Sequence, residues 1–80
     1  MKTYDEIWVH ACHVISELTN KKYDSDTMCK MVRIYDLGLD SLQYAQVMLS
    51  LELFTGKPVD ENKVNWAELD TIDKLIGIFL

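Results

Sequence analysis

Ser41 is the side chain of this sequence best placed to do chemistry. It lies in the run Asp36-Leu37-Gly38-Leu39-Asp40-Ser41-Leu42, which ends a polar, irregular stretch and opens the best helix of the chain. Asp40 is a helix-capping residue there, because the first turn of a helix has backbone N–H groups without intrahelical partners. Ser41 then occupies that first turn with its hydroxyl outward. The orphan N–H groups and the positive end of the helix dipole favour an anion beside it. A serine so placed is suited to carry a phosphate-linked group. Other candidates are weaker. Asp36 and Asp40 form a carboxylate pair on paper, but capping accounts for Asp40, and acid–base work needs a pocket. His10 and His13 lie one helical turn apart with Cys12 between them. Zinc could use such a pair, yet there is no further ligand cluster, so no metal site is expected.

The elements that position Ser41 follow from the local pattern. Thr3-x-x-Glu6 is a capping box at the start of a first helix. Ile7, Ala11, Val14, Ile15 and Leu18 give it one apolar face, and Asn20-Lys21-Lys22 ends it. Residues 20–40 have no sustained period. Met28, Met31, Val32, Ile34 and Leu37 are expected to pin this loop onto the core, with room for a short helical turn near Met28–Val32. The second helix is expected over Ser41 to Phe54, with Gly56 as its stop and Pro58 preventing continuation. Asp60 is expected to cap a short third helix, about Glu61 to Trp66. Thr71 caps a last helix whose inward stripe is Ile72, Leu75, Ile76 and Phe79. Trp8 and Trp66 read as core or shoulder residues. No β-alternation or internal repeat is present. The expected fold is all-α: a small four-helix bundle with a long loop between helices one and two and a short third helix, in one domain over residues 1–80.

Size and charge bound the function. Eighty residues make one small domain, near the length at which a single core is marginal. A substrate cleft and a core do not both fit, so the chain is not expected to be an enzyme. Hydrophobic residues make up 49% and charged residues 26%, as in ordinary soluble domains. The apolar stretches are too short to span a bilayer and the first residues lack a signal peptide's apolar core. The cytoplasm is the expected location. Cys12 and Cys29 are too few for a disulfide framework, so reduced thiols are expected. The net charge of −5 lies wholly from Asp36 onward, since the acids and bases of residues 1–35 balance. An acidic surface repels nucleic acid and suits partners with basic docking patches, or simply keeps a small domain soluble.

Helix two has more apolar surface than one core face uses. Tyr44, Val47, Met48 and Leu51 share a face that should point inward. Leu42, Ala45, Leu49 and Leu53 form a second stripe flanked by Gln46 and Glu52. A surface helix usually has a single apolar stripe. The second is either buried by further neighbours or exposed as a docking patch, and it begins beside Ser41.

The run Asp-Leu-Gly-Leu-Asp-Ser-Leu, at this position in an acidic chain of this size, resembles the attachment motif of acyl carrier proteins. The resemblance spans about residues 4–80 and includes the helix order, the long first loop and the Gly56/Pro58 break. It implies that a phosphopantetheinyl transferase links phosphopantetheine to Ser41 through a phosphodiester, beside Asp40. The cofactor thiol would then hold acyl or aminoacyl groups as thioesters. Helix two would be the docking surface for the loading enzyme and downstream synthases, through Asp40, Leu42, Ala45, Gln46, Leu49, Glu52 and Leu53. Some family members tuck the acyl chain between the helices, where Met28, Met31 and Met48 would make an adaptable core. Lys30 and Arg33 would contact the transferase or the cofactor phosphate, or be solvated loop charges. Fatty-acid carriers have several acids along helix two, whereas Glu52 stands alone here. The tail Asn65-Trp66-Ala67-Glu68-Leu69-Asp70-Thr71 is faintly similar to that of D-alanyl carriers. A freestanding, monomeric carrier for specialised, polyketide-type biosynthesis is therefore expected. The alternatives are an aminoacyl or peptidyl carrier, D-alanyl-carrier-like or nonribosomal, and a cofactor-free helical interaction module.

Overall fold

The computed structural model describes residues 2–28, 31–60 and 62–80, with Trp66 described by its backbone alone. Helix α1 spans Tyr4–Thr19. Its capping box forms as the sequence requires: Glu6 N–H donates to Thr3 Oγ1 at 3.2 Å and Thr3 N–H to Glu6 Oε1 at 3.1 Å. Asn20 closes it in the left-handed conformation, φ 55°, which asparagine tolerates better than most side chains. Helix α2 spans Ser41–Thr55 and ends where Gly56 turns to φ 71° and donates its N–H to Glu52 O at 2.9 Å. Helix α3 is the short segment Ile72–Gly77, with Thr71 Oγ1 accepting from Lys74 N–H at 3.2 Å.

Two segments depart from the sequence expectation. A helix from Glu61 to Trp66 is absent among the described residues, and Glu61 itself lies outside them. Asp60 instead makes a turn, accepting Asn62 N–H on its side chain and Lys63 N–H on its carbonyl, both at 3.0 Å. Such local side-chain bonds compete with helix formation. A single 3₁₀ turn, Trp66–Glu68, follows. The protein is thus a small, mostly helical domain with three α-helices and two 3₁₀ turns among the described residues. The first 3₁₀ turn, Ile34–Leu37, sits in the long loop, a few residues beyond the helical turn expected near Met28–Val32. It is anchored by an isolated antiparallel bridge between Arg33 and Thr71. In that bridge Ile34 N–H donates to Asp70 O at 2.9 Å and Ile72 N–H to Val32 O at 3.4 Å.

The core lies among the three helices and the loop. Ile7, Ala11 and Ile15 of α1, Val47, Met48 and Leu51 of α2, and Ile72, Leu75 and Ile76 of α3 are buried. Leu69 and Phe79 extend it beyond the ends of α3. Each large side chain buried in this way contributes roughly 1.5–3 kcal/mol. Val14 and Leu18 are half-buried against this cluster. Ile34 and Leu37 pin the loop down as expected, Met28 and Val32 pack partly, and Met31 does not: it is 60% exposed. A methionine-lined interior built from Met28, Met31 and Met48 is therefore not present. Trp8 is a core residue whose indole N–H donates to Ser25 O at 2.9 Å, and Tyr23 Oη donates to Leu37 O at 3.0 Å. These bonds satisfy buried polar groups and fix the loop, since an unpaired one would cost about 1–3 kcal/mol. No helix of the described residues is long and apolar enough to cross a membrane.

Candidate functional site at the start of α2

The first turn of α2 is built by two side chains. Asp40 Oδ1 accepts Gln43 N–H at 2.7 Å, while Gln43 Oε1 accepts Asp40 N–H at 3.1 Å. Gln43 also donates from Nε2 to Leu18 O at 2.9 Å. That carbonyl lies in the last turn of α1, where backbone acceptors have no helical donor. A single glutamine thus closes a capping box and ties the start of α2 to the end of α1. The glutamine half of this box went unread in the sequence, although Asp-x-x-Gln spacing is a signal for it. Gly38, at φ 79°, turns the chain out of the first 3₁₀ turn towards Asp40.

Ser41 is the first residue of α2 and is exposed. Beside it lies a groove of about 520 Å³. Arg33, Ile34 and Tyr35 line it from the loop. Leu39, Asp40, Ser41 and Tyr44 line it from the entry of α2, and Leu69 and Asp70 from the segment before α3. Tyr44, expected to point inward, is half-buried and belongs to this groove; burial pushes its phenol up to about 12. Tyr35 is 89% exposed at the rim. Asp70 is held below the usual carboxylate range, chiefly by the Lys74 ammonium at 3.0 Å and to a lesser degree by Arg33. Tyr35, Tyr44, Leu69 and Asp70 were not read as site residues from sequence. The bridge that brings residues 33–35 to residues 69–72 is a backbone pairing with no pattern in either segment.

The two stripes of α2 separate cleanly. Val47, Met48 and Leu51 are buried. Leu42, Leu49 and Leu53 are 69%, 57% and 77% exposed, and Ala45 and Gln46 are exposed with them. Glu52 is half-buried and, with Leu49, Leu53, Gly56 and Pro58, borders a smaller hollow of about 280 Å³ at the far end of the stripe. Asp36 is exposed and does not line the groove.

The histidines are occupied elsewhere. His10 stacks on Phe54 with ring centroids 4.1 Å apart, and its Nε2 lies 2.9 Å from Ser50 Oγ. Burial, with His13 and Lys2 nearby, lowers its pKa. His13 lies 3.0 Å from Glu17 on the exposed side of α1. No group of three or more metal-ligating side chains occurs among the described residues. Cys12 is buried, and burial raises its thiol to about 11. Cys29 and Lys30 lie outside the described residues, as does the Trp66 side chain. What the site offers chemically is an exposed hydroxyl at a helix N-terminus, a groove next to it and an apolar stripe leading away from it. No family model matches this chain, and neither does any curated protein or solved structure.

Proposed function

We propose that this protein is a carrier: Ser41 receives a phosphopantetheine arm whose thiol holds acyl groups as thioesters for partner enzymes, in polyketide-type specialised biosynthesis. One observation supports this most. The exposed hydroxyl of Ser41 stands at the head of a helix whose outward face is an unbroken apolar stripe, Leu42, Ala45, Leu49 and Leu53. A partner acting on a group attached to Ser41 would meet that stripe at once, with Gln46 and Glu52 at its edge and Asp40 at its head. The residues present suit the arm. The hydroxyl is unobstructed, and the first-turn N–H groups of Ser41 and Leu42 have no intrahelical acceptor and face a phosphate's charge favourably. The groove is of the size that takes small organic groups.

In modification by a phosphopantetheinyl transferase, the Ser41 oxygen forms a new bond to the phosphate of coenzyme A next to the pantetheine. The bond to the adenosine bisphosphate half breaks, and the serine proton is taken up by the transferase. This chain's part is to hold Ser41 in the open and to bind the enzyme. Once loaded, the arm's thioester is an activated acyl group, and the flexible tether presents it to successive active sites at high effective concentration. Incubation with a promiscuous transferase and coenzyme A, read by intact mass, tests the reading. An added phosphopantetheine mass on the wild type and none on Ser41→Ala supports it; an unchanged wild-type mass overturns it. A partner that binds wild type and Ser41→Ala alike, with no mass added to either, would instead favour a cofactor-free interaction module using the same stripe. Mass spectrometry of protein from its native host would separate acyl from aminoacyl cargo.

A further inference from the structure

We infer that Arg33 holds the phosphodiester on Ser41 and thereby lays the proximal half of the arm into the groove beside it; this rests on the carrier reading. The argument begins with charge. Two carboxylates, Asp40 and Asp70, line the groove, and Arg33 is the one full cation among its lining residues. Asp70 is already matched by Lys74 at 3.0 Å. One oxygen of Asp40 is engaged by Gln43 N–H, and its charge remains next to Ser41. A phosphodiester at Ser41 adds a further negative charge at that spot. The partial positive charge of a helix N-terminus, worth about 0.3–1 kcal/mol at an exposed site, offsets only part of the repulsion. Arg33 forms no ion pair among the described residues, so its guanidinium is available, and that group matches phosphate oxygens two at a time.

Position completes the argument. Arg33 caps the first 3₁₀ turn with extended backbone, φ −75° and ψ 136°, and is bridged to Thr71. Its backbone is therefore fixed at the groove although its side chain is exposed. Between Arg33 and Ser41 the groove presents Tyr35, Leu39, Tyr44 and Leu69, an apolar surface suited to the alkyl and amide chain that follows the phosphate. Arg33 acts as a positioning residue. It gives the arm a preferred direction out of Ser41, over the 33–35 segment, while leaving the apolar stripe of α2 uncovered for partners.

The test uses the phosphopantetheine-bearing protein, made with a promiscuous transferase, as wild type, Arg33→Ala and Arg33→Lys. Phosphorus NMR reads the phosphodiester, and proton NOEs read contacts between the pantetheine methyls and the Tyr35 and Tyr44 rings. The wild type should show those NOEs and a phosphorus shift that moves with added salt. Arg33→Ala should lose the NOEs and the salt response, and Arg33→Lys should keep part of both. The melting temperature of unmodified Arg33→Ala should equal that of wild type, because the bridge is made by backbone atoms. A phosphorus shift and NOEs unchanged in Arg33→Ala overturn the inference alone. A wild type that accepts no phosphopantetheine overturns the carrier reading, and this inference with it.

Discussion

The two faces of α2 are nearly equal in hydrophobicity and opposite in fate. The inward face, Val47, Met48 and Leu51, is buried in the core cluster, with α1 packed against it. The outward face, Leu42, Leu49 and Leu53, lies more than half open to solvent. The contrast shows that apolar character along a helix does not decide by itself which face is buried; the neighbours that arrive decide it. The inward leucine is covered by this chain. The outward leucines are not; on the carrier reading proposed above, a partner enzyme covers them.

The sharpest way to break that comparison is at its head. Ser41→Ala should abolish phosphopantetheine addition outright while leaving the thermal midpoint within a degree or two, since an exposed hydroxyl with no structural bond contributes little to stability (about 0.5 kcal/mol at most). Intact mass and a thermal melt measure both. Next come the leucines. Leu51→Ala should destabilise the domain by about 2–5 kcal/mol, the usual result of leaving a cavity in a packed core. Leu53→Ala should stay within about 0.5 kcal/mol and instead weaken partner binding. Urea unfolding of the pair would sink the distinction if the two losses were alike. Asp40→Ala should cost about 1 kcal/mol by removing the cap of α2, detected as a lower urea midpoint.

The smallest effect is the pH response of the seam between α1 and α2. His10 has its pKa lowered in the folded state, so between that value and about 6.5 the unfolded chain binds more protons. Its contribution to stability is complete above the unfolded value and is lost as pH falls towards the folded one. The melting temperature should therefore drop modestly from pH 7.5 to pH 5.5. His10→Gln should flatten that part of the profile; an unaltered slope in the variant would assign it to other groups.

The ends of α1 and α2 and the start of α3 were legible in the sequence because each is marked locally: Thr3 and Glu6, Asn20, Asp40, Gly56, Thr71. The inward stripe of α3 and the core face of α1 were legible through their period. The short third helix was misread because Asp60, read as an N-cap, makes an equally local turn instead. Whether the second stripe of α2 would be covered was beyond sequence reach, because burial depends on which neighbours arrive. The groove was the least legible part. It depends on pairing Arg33 with Thr71, far apart in the chain, and on Tyr44 being half-buried at the groove and not fully in the core.

That pairing also has a consequence for the order in which the protein comes into being. Ser41 and its helix leave the ribosome well before Asp70 and Ile72, whose backbone atoms hold the 33–35 segment in place. The serine and its helix are thus synthesised before the residues that complete the neighbouring groove exist. The site matures only when the last quarter of the chain folds back onto its middle.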